Sequence, residues 1–532
     1  MAAGVAVTLV VSNEWPKGWR PEADRLLTSM FSSVADRPHL DLITDIDEAT
    51  RERRCHTTPR DGGSVGARER GQCAWTTFAD RLNVFLPARM STRPPLRVLR
   101  VYHGGRDPAH RARERALRSA GAAVTLVVPS RWPGAGDEAE LTDESFRIVE
   151  LAVQRAGDVN RHTYVEPPER VVASLAPDIL DIHEEPFSVA ARQWLSVVQP
   201  DTPVVMYTAQ NVDKRLPPPF AQFEREAHRR VAALYPCSAQ AAAVARGKGF
   251  AGLVDVIPLG YDDGRFTPGS QSLDGDELVL ALFGRLVVEK GVTDAVEVLA
   301  RVHAHRPARL VIVGSGPEEA PARARAAALG VADRLELIPW QPASELAATY
   351  RRAHVVLVPS YPTETWVEQF GRVIVEAQAS GAVVAGYASG SIAEVAGDAA
   401  ILTDVGAVSE LADQVLALAD SGEYGLRRER GIALSRERTW ARVAERQVEL
   451  YRRVARGDAP HRPLPGSPRQ RRELARVEFG GTAATVAGLR PFALPLLRKG
   501  GAVPSAAAAV IDASAELAAR VRRTRQRRAS SR

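Results

Sequence analysis

From Leu96 onward, short apolar runs alternate with longer stretches in which apolar residues recur every three or four positions. The runs Leu96–Tyr102, Ala122–Val128, Asp178–His183, Val204–Ala209, Leu234–Cys237 and Leu253–Pro258 read as strands. Helical spacing falls between most of them, beginning with Pro108–Ala120. Tyr261–Ser270 breaks the pattern with Asp262, Asp263, Gly264, Pro268 and Gly269, which predicts a linker. The alternation then restarts: strand Leu278–Phe283, a helix from Thr293, and strands Leu310–Val313, Leu335–Ile338, Val355–Val358 and Val383–Ala385. Strands separated by helices predict a parallel sheet covered on both faces. Two such series predict an α/β chain of two tandem doubly wound Rossmann-like domains facing a cleft. Ligands then belong at the carboxyl ends of the strands.

The expected domains are 90–262 and 263–437, with 438–456 as a helix returning to the first. Residues 457–532 read as a basic tail with a helix of its own, and 1–89 as a partly disordered extension. Within the extension, Ala3–Val11 nearly repeats Ala120–Val128, and Trp-Pro follows at the same offset in both. Arg51–Gly71 is polar and rich in Gly and Arg, as loops and disordered segments are. Met90 lies just before the first convincing strand, so a misassigned start, a fragment of a duplicated relative and an extra domain are the available explanations.

A chain of 532 residues with 45% hydrophobic and 25% charged residues suits two globular domains rather than disorder. The net charge of +6 is uneven: from Gly457 onward there are 15 Lys/Arg against 5 Asp/Glu, leaving 55 against 59 for the rest. Arginine supplies nearly all the positive charge, since only five of the 70 basic residues are lysine. Within the tail, Ser505–Arg528 has helical spacing and ends in Arg520, Arg522, Arg523, Arg525, Arg527 and Arg528. Phe492, Leu494, Leu496 and Leu497 precede it. Apolar residues beside arginines suit an anionic membrane surface. No aromatic platform interleaves with them, which argues against nucleic acid. Cys55, Cys73 and Cys237 form neither a disulfide framework nor a zinc spacing, which suits a reducing cytoplasm. No apolar run approaches the ~20 residues of a membrane span, and Ala2–Val11 lacks the basic start of a signal peptide.

The chemistry concentrates in Glu368-Gln-Phe370-Gly371-Arg372-Val-Ile-Val-Glu376, which follows a strand and opens a helix. Gly371 falls where free N–H groups and the helix dipole favour an anion. Glu376 has apolar neighbours, so burial requires a partner for it; either a ligand or a neighbouring strand could supply one. Gly284-Arg285 and Glu289-Lys290-Gly291 lie where a strand meets a helix, placing two cations five positions apart across one turn. They suit a phosphate, or else they are solvated surface charges. Gly314-Ser315-Gly316-Pro317, His103-Gly104-Gly105 and Gly390-Ser391-Ile-Ala-Glu394 are further turns at strand ends, each a weak signal singly.

Taken together, these motifs over Leu96–Val454 resemble the retaining glycosyltransferase family of GT-B fold that makes bacterial polysaccharides and glycolipids. The resemblance implies a nucleotide-diphosphate-sugar donor and no cofactor. It puts Arg285 and Lys290 on the diphosphate, Glu368 on the donor sugar and Glu376 on the nucleotide ribose. Phe370, Gly371, Arg372, Gly284, Gly314, Gly316 and Glu394 complete the donor side. The acceptor side departs from the family pattern: a His commonly follows the strand corresponding to Val204–Ala209, where this chain has Gln210-Asn211. Gly104, Gly105, His183, Glu184, Gln210 and Asn211 are the acceptor-side candidates, although for His183 a structural place at its strand end is the preferred reading. No Asp-x-Asp metal motif stands out, so metal-independent transfer is expected, with a glycan or lipid-linked acceptor at the cell envelope and possible docking on the inner membrane face. The alternatives are a non-catalytic nucleotide-sugar-binding scaffold and a nucleotide-sugar epimerase. A glycan phosphorylase would need a lysine-bound pyridoxal phosphate, for which Lys290 and Lys248 have no supporting motif.

Overall fold

The computed structural model describes residues 94–134, 144–273, 275, 277–364, 366–458, 464 and 466–479. Expectations for residues 1–89, for Cys55 and Cys73, and for Ser505–Arg528 lie outside them. The described residues belong to one compact unit that begins at Arg93.

The first half is built on β1 (Arg97–Val101), β2 (Ala123–Pro129), β3 (Arg147–Leu151), β4 (Val153–Gln154), β5 (Thr163–Tyr164), β6 (Ile179–Ile182), β7 (Val204–Thr208), β8 (Ala233–Pro236) and β9 (Leu253–Val254). Seven of these form a parallel sheet in the order β3-β2-β1-β6-β7-β8-β9, while β4 and β5 pair antiparallel beside it. The second half has β10 (Leu278–Phe283), β11 (Ala308–Val313), β12 (Leu335–Ile338), β13 (Val355–Val358), β14 (Val383–Tyr387) and β15 (Ile401–Thr403), in the parallel order β12-β11-β10-β13-β14-β15. Both halves are the doubly wound sheets anticipated from the alternating pattern. In each, the strand order reverses beside the first strand, at β1/β6 and at β10/β13, which opens a crevice at the carboxyl ends. Every residue of β6 and β10 is buried, as strands covered by helices on both faces must be.

Two chain segments join the halves. The Tyr261 N–H donates to the Arg438 carbonyl at 3.2 Å, the Trp440 N–H donates to the Tyr261 carbonyl at 3.4 Å, and Tyr261 and Thr439 form a parallel bridge. After this second crossing, Thr439 caps helix Trp440–Ala455 by accepting from the Arg442 N–H at 3.3 Å. That helix packs Val443, Ala444, Val448, Leu450, Tyr451 and Val454 into the core holding Leu117, Val205 and Tyr235 of the first half. A buried polar network seals the contact. Asp181 accepts from Tyr235 and Tyr451 hydroxyls at 2.5 Å each and from Gln447 Nε2 at 3.0 Å, and it pairs with Arg100. Arg100 also donates to Glu114 at 2.5 Å. A carboxylate with this many donors avoids the penalty of an unpaired buried charge.

Helix Pro468–Phe479 departs from the expectation of a tail beginning at residue 457. It docks on helix Ala239–Lys248, where the buried Arg246 guanidinium donates to both Glu478 oxygens at 3.1 and 3.0 Å. Ala475 is buried in the contact. A buried guanidinium needs an anion, and this segment supplies it. Among the described residues no helix is long and apolar enough to cross a membrane.

Candidate active site

The donor-side residues gather at the carboxyl ends of β10, β11 and β13. Beyond β10, the turn at Gly284 leads to Arg285, which is exposed; among the described residues no hydrogen bond or ion pair engages its guanidinium. Lys290, in the short 3₁₀ turn Val288–Lys290, pairs with the Glu368 carboxylate and lies 5.0 Å from the Trp366 ring centroid. The Glu368 carbonyl accepts from Asn211 Nδ2 at 2.8 Å and from the Ser391 N–H at 3.0 Å, so its backbone is fixed from both halves.

Gly371, with φ of 80°, occupies the N-cap of helix Arg372–Ala379. That left-handed conformation suits glycine and turns the chain so that the free N–H groups of the first turn point outward. Phe370 is buried in the core with Ile374 and Val375, so it props the turn while its side chain faces away from the cleft. Glu376 is 6% exposed. It accepts from the Tyr350 hydroxyl at 3.1 Å and from Arg372 at 3.3 Å. Tyr350 stacks on Phe283 at 3.7 Å between centroids, and burial, reinforced by Glu376, holds its hydroxyl well above the ordinary range. Glu376 therefore has a structural partner and still reaches the cavity described below.

Gly314 and Gly316 serve a packing role. A Cβ on Gly314 would lie 1.8 Å from the Gly284 carbonyl oxygen, and one on Gly316 2.2 Å from that of Leu286. The Leu286 N–H donates to Ser315 O at 3.0 Å, so the two strand-end turns lie backbone to backbone. Glu394 is also spoken for: its oxygens accept from the Ala239 N–H at 2.8 and 3.0 Å, at the first turn of helix Ala239–Lys248 in the other half. Such capping stabilises the helix N-terminus and makes Glu394 an interdomain contact.

A cavity of about 710 Å³ lies between the halves. Gln369, Arg372 and Glu376 of the second half form one wall; His103, His183, Glu184, Glu185, Gln210 and Lys214 of the first half stand on the other side. Glu368, Lys290 and Arg285 are outside this lining. His183 packs on Tyr207 at 4.1 Å and Tyr102 at 4.5 Å, and its Nδ1 lies 3.1 Å from the Tyr235 hydroxyl. Burial, then the positive charges of Arg100 and Arg113, pushes this imidazole well below its ordinary range, so it stays neutral. Gln210 donates to Glu224 at 3.0 Å and contacts Lys248. Asn211 crosses to Glu368, and Gln369 Nε2 returns the contact by donating to the Ala209 carbonyl at 2.9 Å. Gly104 and Gly105 form the turn after β1, where Arg111 donates to the Gly105 carbonyl at 2.7 Å.

The residue missed at that turn is His103. Its Nδ1 lies 2.7 and 2.8 Å from the two Glu184 oxygens, and Trp132 packs on its ring at 4.6 Å. Burial works against its charge, but Glu184 outweighs burial and holds the imidazole above its ordinary value; Glu184 is correspondingly held low. The sequence offered only the His103-Gly104-Gly105 turn and, separately, Glu184 after the next strand of the sheet, with nothing to pair them.

The model of group 1 glycosyl transferases matches residues 265–432, and that of the glycosyl transferase 4-like domain matches residues 104–260. Among curated proteins, D-inositol 3-phosphate glycosyltransferase of Segniliparus rotundus is 33% identical over 221 residues, 39% of this chain and 48% of that protein. Its namesake from Mycolicibacterium smegmatis is 30% identical over 237 residues, 42% of this chain and 52% of that protein. The chain thus spans about half the length of the curated relatives it matches. Among solved structures, sucrose-phosphate synthase from Thermosynechococcus elongatus superposes with a TM-score of 0.54 at 19% identity, covering 68% of this chain and 100% of that one. A glycosyltransferase from Rickettsia africae gives 0.53 at 13% identity, covering 68% and 99%.

Proposed function

We propose, from the premise that this chain belongs to the group 1 glycosyl transferases of GT-B fold, that it transfers a sugar from a nucleoside-diphosphate donor to an acceptor hydroxyl in the interdomain cleft. The observation that carries this reading is the cavity itself. Its donor wall is the Arg372–Glu376 helix start, and the opposite wall is the polar His183, Glu184 and Gln210.

On this reading the leaving diphosphate meets the free N–H groups at the start of helix Arg372–Ala379, together with Arg285 and Lys290. A preorganised positive field of this kind stabilises charge as it develops on the leaving group. Glu376, held by Tyr350, accepts from the ribose hydroxyls. Glu368, held through its own carbonyl, accepts from the donor sugar. Configuration is retained when the acceptor oxygen attacks the face from which the diphosphate departs, its proton passing to a departing phosphate oxygen. The donor half needs no metal in this scheme.

For the acceptor we propose a small phosphorylated polyol. The relatives named above support it, and so do Arg113, Lys214 and Arg265 on the cavity wall. An envelope glycan or lipid-linked acceptor is the second reading, favoured by the arginine-rich stretch Arg520–Arg528 and the anionic inner membrane face it would suit. A thermal-shift panel of UDP-, GDP- and ADP-sugars identifies the donor, since a ligand of the native state alone raises the melting temperature. Donor turnover is then measured with and without inositol phosphates and lipid-linked glycans. Donor binding without turnover under any acceptor would favour a scaffold; interconversion of the donor sugar would favour an epimerase.

A further inference from the structure

At the acceptor-side wall, Glu184 belongs to a cluster whose other members, His103 and His162, have no part in the proposed transfer. β1 and β6 pair in parallel with Val101 opposite Ile182. Their carboxyl ends therefore bring His103 and Glu184 together. The His103 backbone N–H donates to Glu184 at 2.8 Å, and the ring Nδ1 lies 2.7 Å from the same carboxylate, which is thereby anchored twice. His162, immediately before β5, completes the group: one ligating atom from each of the three residues lies within 4.8 Å of the others.

His162 is the informative member. It is fully buried, and its Nδ1 lies 3.2 Å from the Asp158 carbonyl oxygen. A carbonyl can only accept, so Nδ1 carries the proton and Nε2 presents its lone pair. That Nε2 is buried and has no hydrogen-bond partner, an uncommon state for a buried polar atom. A ring N–H donated to a backbone carbonyl is also how metal-bound histidines are oriented. Trp132 packs at 5.0 Å and Tyr164 at 5.8 Å from the His162 ring, an apolar shell around the cluster. His103 and Glu184 line the cavity, whereas His162 stands behind them.

We propose that His103, His162 and Glu184 bind a divalent transition-metal ion, zinc by preference, on the acceptor side of the cleft. Two imidazole nitrogens and one carboxylate oxygen are a zinc donor set that leaves a coordination position open. Bonds of about 2.0–2.2 Å place tetrahedral ligand atoms about 3.4 Å apart. The ligand atoms, within 4.8 Å of one another, draw in to that spacing as the His103–Glu184 contact opens to admit the ion in place of its shared proton. The open position faces the cavity, where a water, hydroxyl or phosphate oxygen can complete the shell. The site lies outside the donor half and does not depend on which sugar or acceptor is used.

The test uses the full chain, stripped with a chelator and dialysed separately against Zn²⁺, Mn²⁺ and Mg²⁺, with bound metal measured by mass spectrometry and affinity by calorimetry. Wild type is expected to take up one Zn²⁺ that His162→Ala loses, with Glu184→Gln binding it at least about 10-fold more weakly. Co²⁺-loaded wild type should show intense tetrahedral d–d absorption that Zn²⁺ abolishes. Zn²⁺ uptake that is absent, or equal in wild type and His162→Ala, overturns the proposal and leaves an imidazole–carboxylate proton pair. Should His162→Ala fail to fold, His103→Asn on the cavity wall carries the same comparison. Weak octahedral absorption from Co²⁺-loaded wild type overturns the proposal by itself.

Discussion

Replacing Lys290 with alanine separates what this cation does for the fold from what it does for a donor. Its ammonium is paired with Glu368 beneath the Trp366 ring. The Lys290 side chain is 20% exposed and that of Glu368 11%, so neither bulk water nor a dry interior describes the pair. Two unit charges about 3 Å apart at an effective dielectric of about 20 attract by roughly 5 kcal/mol. Desolvation of both groups cancels most of this. Loss of the ammonium is therefore expected to cost about 1–2 kcal/mol of stability, with Glu368 left unpaired. The proposed contact with the leaving diphosphate would add a separate effect of about 2–4 kcal/mol in the transition state, or about 30- to 1000-fold in kcat. Steady-state kinetics and thermal melts on Lys290→Ala, Glu368→Gln and the double variant distinguish the two. The double variant should recover part of the lost stability, because no charge remains unpaired, and none of the lost activity. If Lys290→Ala melts lower yet keeps kcat/KM within about threefold of wild type, Lys290 serves Glu368 alone and the diphosphate role is refuted.

Glu376→Gln should raise the donor Kd about 10-fold, the scale of one charge-assisted hydrogen bond, with little change in kcat at saturation; isothermal titration with the nucleoside diphosphate checks it. Tyr451→Phe removes a 2.5 Å hydrogen bond to buried Asp181 and should destabilise by about 1–3 kcal/mol in chemical denaturation while leaving donor affinity unchanged. Donor binding should persist in excess EDTA, since the cations of the donor half are side chains; loss on chelation, restored by a divalent ion, would contradict this. Ending the chain after Phe479 keeps the docked helix and should preserve donor binding but reduce co-sedimentation with anionic liposomes. Equal sedimentation of long and short chains at low salt would remove the membrane role.

Strands buried on both faces were the legible part of the fold. Leu278–Phe283 is wholly apolar because helices cover it above and below, and the sequence carries that burial directly; Ile179–Ile182 is equally buried but admits Asp181, whose partners come from elsewhere in the chain. β3 escaped because it is a sheet edge where only Leu151 is buried, and β15 because three residues give no period. The candidate donor residues could be read as one group because one turn and one helix hold them at short spacing. The cluster of His103, His162 and Glu184 was not, since His103 and Glu184 meet only through the pairing of β1 with β6, and His162 comes from beside a separate two-stranded sheet. Gly314, Gly316, Phe370 and Glu394 were recognisable as special positions, but sequence spacing alone does not distinguish a ligand contact from a turn packed against a turn, a core ring or a helix cap.

The paired crossings at Tyr261 and Arg438–Trp440 bear on how the cleft works. A single connecting strand would let one half swivel about its own bonds in any direction. Two strands fastened side by side by reciprocal backbone hydrogen bonds resist twisting and shear, so they behave as a leaf flexure and bend about one line. Any hinge motion of the halves would then run along one arc, along which the Asn211–Glu368 and Gln369–Ala209 hydrogen bonds form or break together. A change that loosens the strand pair, such as proline at Tyr261, would leave each half able to hold its own ligand while scattering the angles at which the two ligands meet.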